Sequence, residues 1–172
     1  MSVYNPPMAT QGGETLKRAP VIERIEVRYQ DLDSYGHVKN AVYLEFFEEL
    51  RIAYWRILAK LAGIESPEVG DAPGASYVIA ETTVRYKAPV LLDDTLHGGA
   101  SVSIIGNRSY TMDFELRPGE AFESAPVVAD GFAAHVFFDP ATDEVMPRPE
   151  WFLPAVALLE GRPDESFAPE GG

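Results

Sequence analysis

From Ile25 apolar and polar residues alternate, with Ile25, Val27 and Tyr29 set against Arg24, Glu26 and Arg28. A period of two predicts a half-buried antiparallel strand. It ends at Gln30-Asp31-Leu32-Asp33-Ser34-Tyr35-Gly36, a stretch rich in turn residues. From about Asn40 the apolar positions recur every three or four residues, at Tyr43, Phe47, Leu50, Tyr54, Ile57 or Leu58, and Leu61. Glu45, Glu48, Glu49, Arg56 and Lys60 fall on other faces, so the spacing predicts an amphipathic helix of about 20 residues, roughly 30 Å long. Asn40 is a favoured N-cap residue, Lys60 suits the last turn and Gly63 a stop.

Residues 63–74 are rich in Gly, Pro and acidic side chains and are expected to form a loop. Beyond them Tyr77–Tyr86, Thr95–Ile105, Arg108–Leu116 and Val127–Phe138 are rich in Val, Ile, Thr, Tyr and Phe. These segments read as strands separated by Pro89, Asp93-Asp94, Gly106-Asn107 and Pro118-Gly119. Gly106-Asn107 is the strongest hairpin signal. A short apolar stretch, Trp151–Leu159, predicts a last helix with Pro154 near its start. One strand, one helix and a run of hairpins imply an α+β fold, an antiparallel sheet with the helix packed on one face.

The chain has 172 residues and a formal charge of -13, enough length for one domain with a core of its own. Residues 119–172 hold eleven acidic and two basic side chains, so most of the excess charge lies late in the chain. Arg85, Lys87 and Arg108 thus remain available to an anionic ligand. The acidic balance argues against nucleic acid and against anionic membranes as partners. Residues 1–20 contain no apolar run that resembles a secretory signal, and no stretch reaches the ~20 apolar residues of a membrane span. A cytoplasmic protein is the expectation. Residues 1–20 and 161–172 are expected to be flexible segments, the second acidic, around a domain of residues 21–160. With no cysteine in the chain, thiol nucleophiles and Cys-ligated metals are excluded.

The densest polar cluster is Asp31-Leu32-Asp33-Ser34-Tyr35-Gly36-His37-Val38-Lys39-Asn40, between the first strand and the helix. Read structurally, it is a turn whose carboxylates complement a helix dipole. Asp31, Asp33 and His37 as metal ligands lack a second ligand group of recognisable spacing. A phosphotransferase nucleophile normally follows a continuous apolar strand, whereas this strand alternates. The remaining reading makes Asp33 a base or nucleophile toward a carbonyl whose oxygen is polarised by the unpaired N–H groups of the helix start.

Residues Val27 to Arg51, with Asp31-Leu32-Asp33-Ser34-Tyr35-Gly36-His37-Val38-Lys39-Asn40-Ala41-Val42-Tyr43 at their centre, resemble the hotdog-fold acyl-CoA thioesterases of the 4-hydroxybenzoyl-CoA thioesterase-like family. The later Tyr86-Lys87-Ala88-Pro89, Asp94 and Arg108-Ser109 extend the resemblance over residues 22–150. It implies a five-stranded antiparallel sheet wrapped around a long central helix. It also implies a homodimer or homotetramer with sites at the dimer interface, no cofactor, no metal, and an acyl-CoA substrate.

Carried over, Asp33 is the catalytic carboxylate and the backbone N–H near Asn40 the oxyanion donor. His37 either shapes the loop or touches substrate. Arg108 with Ser109, and Lys87 second, are candidates for the CoA phosphates, and Tyr43 and Phe47 for the acyl group. Against these stand solvated strand-end cations and ordinary core aromatics. Lys39 departs from the family's common Asn, which a backbone donor tolerates. The resemblance leaves open a non-catalytic acyl-CoA-binding module and a thioesterase for acyl-carrier protein.

Overall fold

The computed structural model describes residues 16, 19–64, 75–119 and 121–168. Five strands, β1 (Val21–Ile25), β2 (Tyr77–Tyr86), β3 (Leu96–Ile105), β4 (Ser109–Pro118) and β5 (Ala129–Asp139), pair antiparallel in the order β1-β3-β4-β5-β2. Beyond the five expected, β6 (Glu144–Val145) adds a two-residue strand to β5. The β3–β4 turn forms at Gly106-Asn107, where the Gly106 N–H donates to the Ser109 carbonyl at 2.8 Å. Residues 65–74 of the expected loop lie outside the described residues.

The 20-residue α1 (Val42–Leu61) lies on one face of the sheet, burying Phe46, Phe47, Leu50, Tyr54 and Leu58 against it. Two glycines allow the close approach. A Cβ on Gly98 would lie 2.6 Å from the Leu50 side chain, and Gly131 sits under Phe47. α2 (Phe152–Glu160) closes the far end of the core, with Phe152 packed on Trp55, Tyr110 and Phe137. This is the α+β layering that the hairpin run predicts. Among the described residues no helix is long and apolar enough to cross a membrane.

Several boundaries differ from the sequence reading. β1 ends at Ile25, and Tyr29 stands 83% exposed in a 3-10 turn over Tyr29–Asp31. The alternation persists past the strand because Val27 stays buried while Arg28 and Asp31 draw the chain into a turn. Helix α1 starts at Val42 with Ala41 as N-cap and no side-chain cap bond, so Asn40 does not cap it.

The packed structure also exceeds residues 21–160. Ala19 is buried, and the Leu16 N–H donates to a Glu115 carboxylate oxygen at 2.5 Å. At the other end Phe167 is buried beneath the Arg162 guanidinium. There is a reason for this clamp: β1 pairs with β3 only as far as Ala100. Past it, the Val102 N–H donates to Glu160 at 2.6 Å and the Val102 carbonyl accepts from Arg162 at 2.6 Å. Two side chains thereby supply the bonds that a neighbouring strand would.

His135 on β5 is fully buried, stacked on Tyr110 at 4.4 Å, and neither ring nitrogen has a well-formed hydrogen bond among the described residues. Burial, aided by the Arg51 charge, pushes its imidazole down to about 3 from 6.5. Between those values the unfolded chain binds a proton that the folded chain refuses, so stability falls as pH falls through that window. We expect unfolding free energy to drop by about 2 kcal/mol between pH 7 and pH 5 from this residue. Urea titrations at both pH values should show that drop, and His135→Phe should remove it.

Candidate active site

Asp31 and Asp33 have separate jobs. Asp31 is buried, and its carboxylate accepts from the Arg28 backbone N–H at 2.8 Å, from Nε at 3.0 Å and from Nη2 at 2.9 Å. Burial pushes the Asp31 carboxyl up, but the bonds to Arg28 and its charge outweigh this and hold it below the ordinary range. Its carbonyl also accepts the Lys39 N–H at 2.9 Å. Asp31 therefore anchors both ends of the loop, which leaves it unsuited to ligate a metal. Among the described residues no group of three or more acidic or histidine side chains converges on a metal site.

Asp33 heads a small hairpin. Leu32 bridges Val38, the Asp33 N–H donates to the His37 carbonyl at 2.7 Å, and Gly36 takes φ +79° at the tip. The conformation at Gly36 is one that side-chain-bearing residues rarely adopt. Asp33 Oδ1 accepts from the N–H groups of His37 at 3.0 Å and Tyr35 at 2.8 Å, which sets the carboxylate's direction. Oδ2 has no partner among the described residues. The His37 N–H bond, opposed by desolvation and joined by the Tyr35 bond, holds the Asp33 carboxyl below its ordinary value.

The hairpin docks on the segment after β2. Val38 N–H donates to the Val90 carbonyl at 2.9 Å and His37 bridges Leu91. Between them lies an open pocket of about 300 Å³, lined by Asp33, His37, Asn40, Tyr43, Tyr86 and Lys87 with neighbouring Val38, Ala88 and Pro89. At its floor Tyr43 packs edge-to-face on Tyr86 at 5.0 Å. The helix start faces this pocket through Asn40 and Tyr43. Among the described residues the backbone N–H groups of Asn40, Ala41 and Tyr43 have no acceptor. Such unpaired donors, oriented along a helix axis, suit a developing oxyanion.

Five of the residues singled out in the sequence, Asp33, His37, Asn40, Tyr43 and Lys87, thus share one pocket. Lys87 is not a free cation: its ammonium pairs with buried Asp130, which also takes Arg85 Nε at 2.5 Å. Phe47 does not reach the pocket. It is buried in the core and stacks on Phe114 at 4.7 Å. Arg108 and Ser109 are not there either. Tyr86 is level with Ala129 and Leu116, seven residues along β4 from Ser109, or about 23 Å at strand rise. The sequence reading gives neither Tyr86 nor Asp130 a site role. Tyr86 opens the Tyr86-Lys87-Ala88-Pro89 motif, whereas Asp130 has no signal short of the β2–β5 register.

Residues 27–156 match the model of the thioesterase-like superfamily. The long-chain acyl-CoA thioesterase FadM of Escherichia coli K12 is 30% identical over 125 residues, 72% of this chain and 86% of FadM. A thioesterase from Thermus thermophilus, solved with coenzyme A and Zn, superposes with a TM-score of 0.70 at 30% identity, over 84% of this chain and 97% of that one. The YbaW probable thioesterase from Escherichia coli superposes at 0.64 with 25% identity, covering 81% and 98%. The chain belongs to the thioesterase-like superfamily.

Proposed function

We propose that this protein hydrolyses the thioester of an acyl-CoA to a carboxylic acid and CoA. The observation that carries the reading is a fixed carboxylate with one free oxygen, Asp33, in the same pocket as the unpaired N–H groups of the α1 start. FadM and the CoA-bound Thermus structure support the substrate class.

In the general-base form, Asp33 takes a proton from water as its oxygen bonds to the thioester carbon. The carbonyl electrons move onto oxygen, where the N–H near Asn40 stabilises them. Collapse breaks the C–S bond and the proton passes from Asp33 to the departing thiolate. In the nucleophilic form Asp33 itself bonds to the carbon, expels the thiolate and forms an anhydride that water opens. A single turnover in ¹⁸O-water distinguishes them, because label in Asp33 marks the anhydride. His37 holds the Asp33 carboxylate through its backbone N–H in either case.

The sheet edges support a homodimer. β2 is a ten-residue edge strand with Val78 and Ile79 exposed, a template for pairing. A two-fold axis beside β2 pairs it antiparallel with its own copy. The Tyr77 end of one copy then lies beside the Tyr86 end of the other, and with it the partner's β3–β4 turn. In that homodimer Arg108 and Ser109 gain a route to a CoA bound at this chain's pocket. Sedimentation should show a dimer that Val78→Lys weakens at least tenfold; a monomeric wild type would remove this route.

Thiol release from a panel of acyl-CoAs tests the function, with one acyl group offered on both CoA and carrier protein. Turnover of CoA esters is expected. Tight binding without turnover would establish a binding module instead, and preference for the carrier-bound ester would establish a carrier-protein thioesterase.

A further inference from the structure

The entrance to α1 is held from outside the helix. Ala41, at the N-cap, offers no side-chain acceptor, and an uncapped first turn tends to fray. The tie instead comes from β2: the Tyr86 hydroxyl donates to the Asn40 carbonyl oxygen at 2.9 Å. On the other side of the Asn40 Cα, the Lys39 carbonyl accepts the Val42 N–H at 3.0 Å. Both peptide planes flanking this residue are therefore fixed.

A trans peptide carries its C=O and N–H on opposite sides. Fixing the Lys39 oxygen toward the helix thus aims the Asn40 N–H away from it, where it has no acceptor among the described residues. Released from Tyr86, the Asn40 carbonyl could rotate and turn its lone pairs toward the pocket. A lone pair there would repel an oxyanion, and the Ala41 N–H, which shares that peptide plane, would turn with it. Tyr86 is itself steadied by the edge-to-face packing of Tyr43.

We infer that Tyr86 is a positioning residue, which holds the helix-start N–H groups on the reacting carbonyl by binding the Asn40 oxygen. The inference rests on the proposed thioesterase reading of this pocket. The ring lines the pocket, but its hydroxyl acts through Asn40.

The test uses the full chain and the best acyl-CoA of the panel. Losing one oxyanion donor outright typically costs about 10²–10³ in kcat, and misorienting it a part of that. Tyr86→Phe is therefore expected to lower kcat about 10-fold with KM unchanged. The Kd of the alkyl-CoA thioether of the same chain length, which has no carbonyl, should also be unchanged. Replacing Tyr86 with 3,5-difluorotyrosine keeps the ring and fold while making the phenol more acidic. There kcat should fall as pH rises through neutrality, where the hydroxyl ceases to donate, while the wild type stays flat.

Equal kcat in Tyr86→Phe and wild type, with Asp33→Asn inactive, would overturn the inference and leave the site reading standing. So would a flat profile for the fluorinated variant, or thioether binding that weakens in parallel with kcat. Full activity in Asp33→Asn would overturn the site reading itself.

Discussion

Asp33→Asn should lower kcat/KM for acyl-CoA by about 10³-fold while leaving the fold intact, since a positioned base contributes about 10²–10⁴. The substitution is close to isosteric. Asn Oδ1 can still accept the Tyr35 and His37 N–H groups, so the hairpin at Ser34–Gly36 keeps its shape. What is lost is the free oxygen Oδ2 as a proton acceptor or nucleophile, because an amide nitrogen has no lone pair to offer. The same loss of about 4 kcal/mol in transition-state stabilisation serves either mechanism. Thiol-release kinetics with matched circular dichroism spectra would measure it, and a variant within threefold of wild type would remove Asp33 from the chemistry.

The two N–H bonds also set the pH range over which the Asp33 carboxylate is ionised. They favour the ionised form and hold the carboxyl below its ordinary value of 3.8. Asp33 is thus ready at neutral pH, and its acid limb lies below the usual carboxylate range. An activity loss on acidification above that range therefore has another origin, and the buried His135 supplies one through unfolding.

Much of the pocket could be read from the chain because one short segment builds it. Asp33, His37, Asn40 and Tyr43 sit within eleven residues, and a strand–turn–helix places them together whatever the rest does. Helix spacing alone does not say which side of α1 meets the pocket. Tyr43 and Phe47 are one turn apart, yet the first lines the pocket and the second stacks in the core on Phe114. Sheet register decided the cations. Lys87 follows the end of β2 that meets the loop, whereas Arg108 precedes the opposite end of β4. Nor does local sequence reveal that Asp130 pairs with Lys87 or that the Tyr86 hydroxyl donates to the Asn40 carbonyl, since both contacts span more than 40 residues. Asn40 has the side chain of a cap, but it caps nothing, and its carbonyl accepts from Tyr86.

The largest stability effect is expected at Gly131, which also bears on how the pocket wall is held. A Cβ there would lie 2.0 Å from the Thr83 carbonyl oxygen and 2.8 Å from Phe47 Cε2. Neither neighbour can yield cheaply. Thr83 is backbone of β2 within its ladder to β5, and Phe47 is wedged under α1 against Phe114. Relief requires β2 to move away from β5 or α1 to lift, and overpacking of the ordinary kind already costs about 1–3 kcal/mol. Gly131→Ala should therefore cost about 4 kcal/mol or more, lowering Tm by roughly 8–16 °C for a domain of this size. Gly99 gives the contrast: its added Cβ would meet the Phe122 ring tip at 2.4 Å and Ala19 at 2.8 Å, in a segment outside the core strands. The Phe122 ring tip can swing aside, while the Ala19 Cβ moves only with its own backbone outside the sheet, so Gly99→Ala should cost about 1–3 kcal/mol. Because β2 carries Tyr86 and leads into Lys87, opening its ladder also displaces one wall of the pocket. In Gly131→Ala molecules that still fold, kcat should fall, whereas Gly99→Ala should stay near wild type. Denaturant unfolding of both variants measures the energies, and a Gly131→Ala cost no larger than that of Gly99→Ala would show that β2 and β5 are less tightly joined than their register implies.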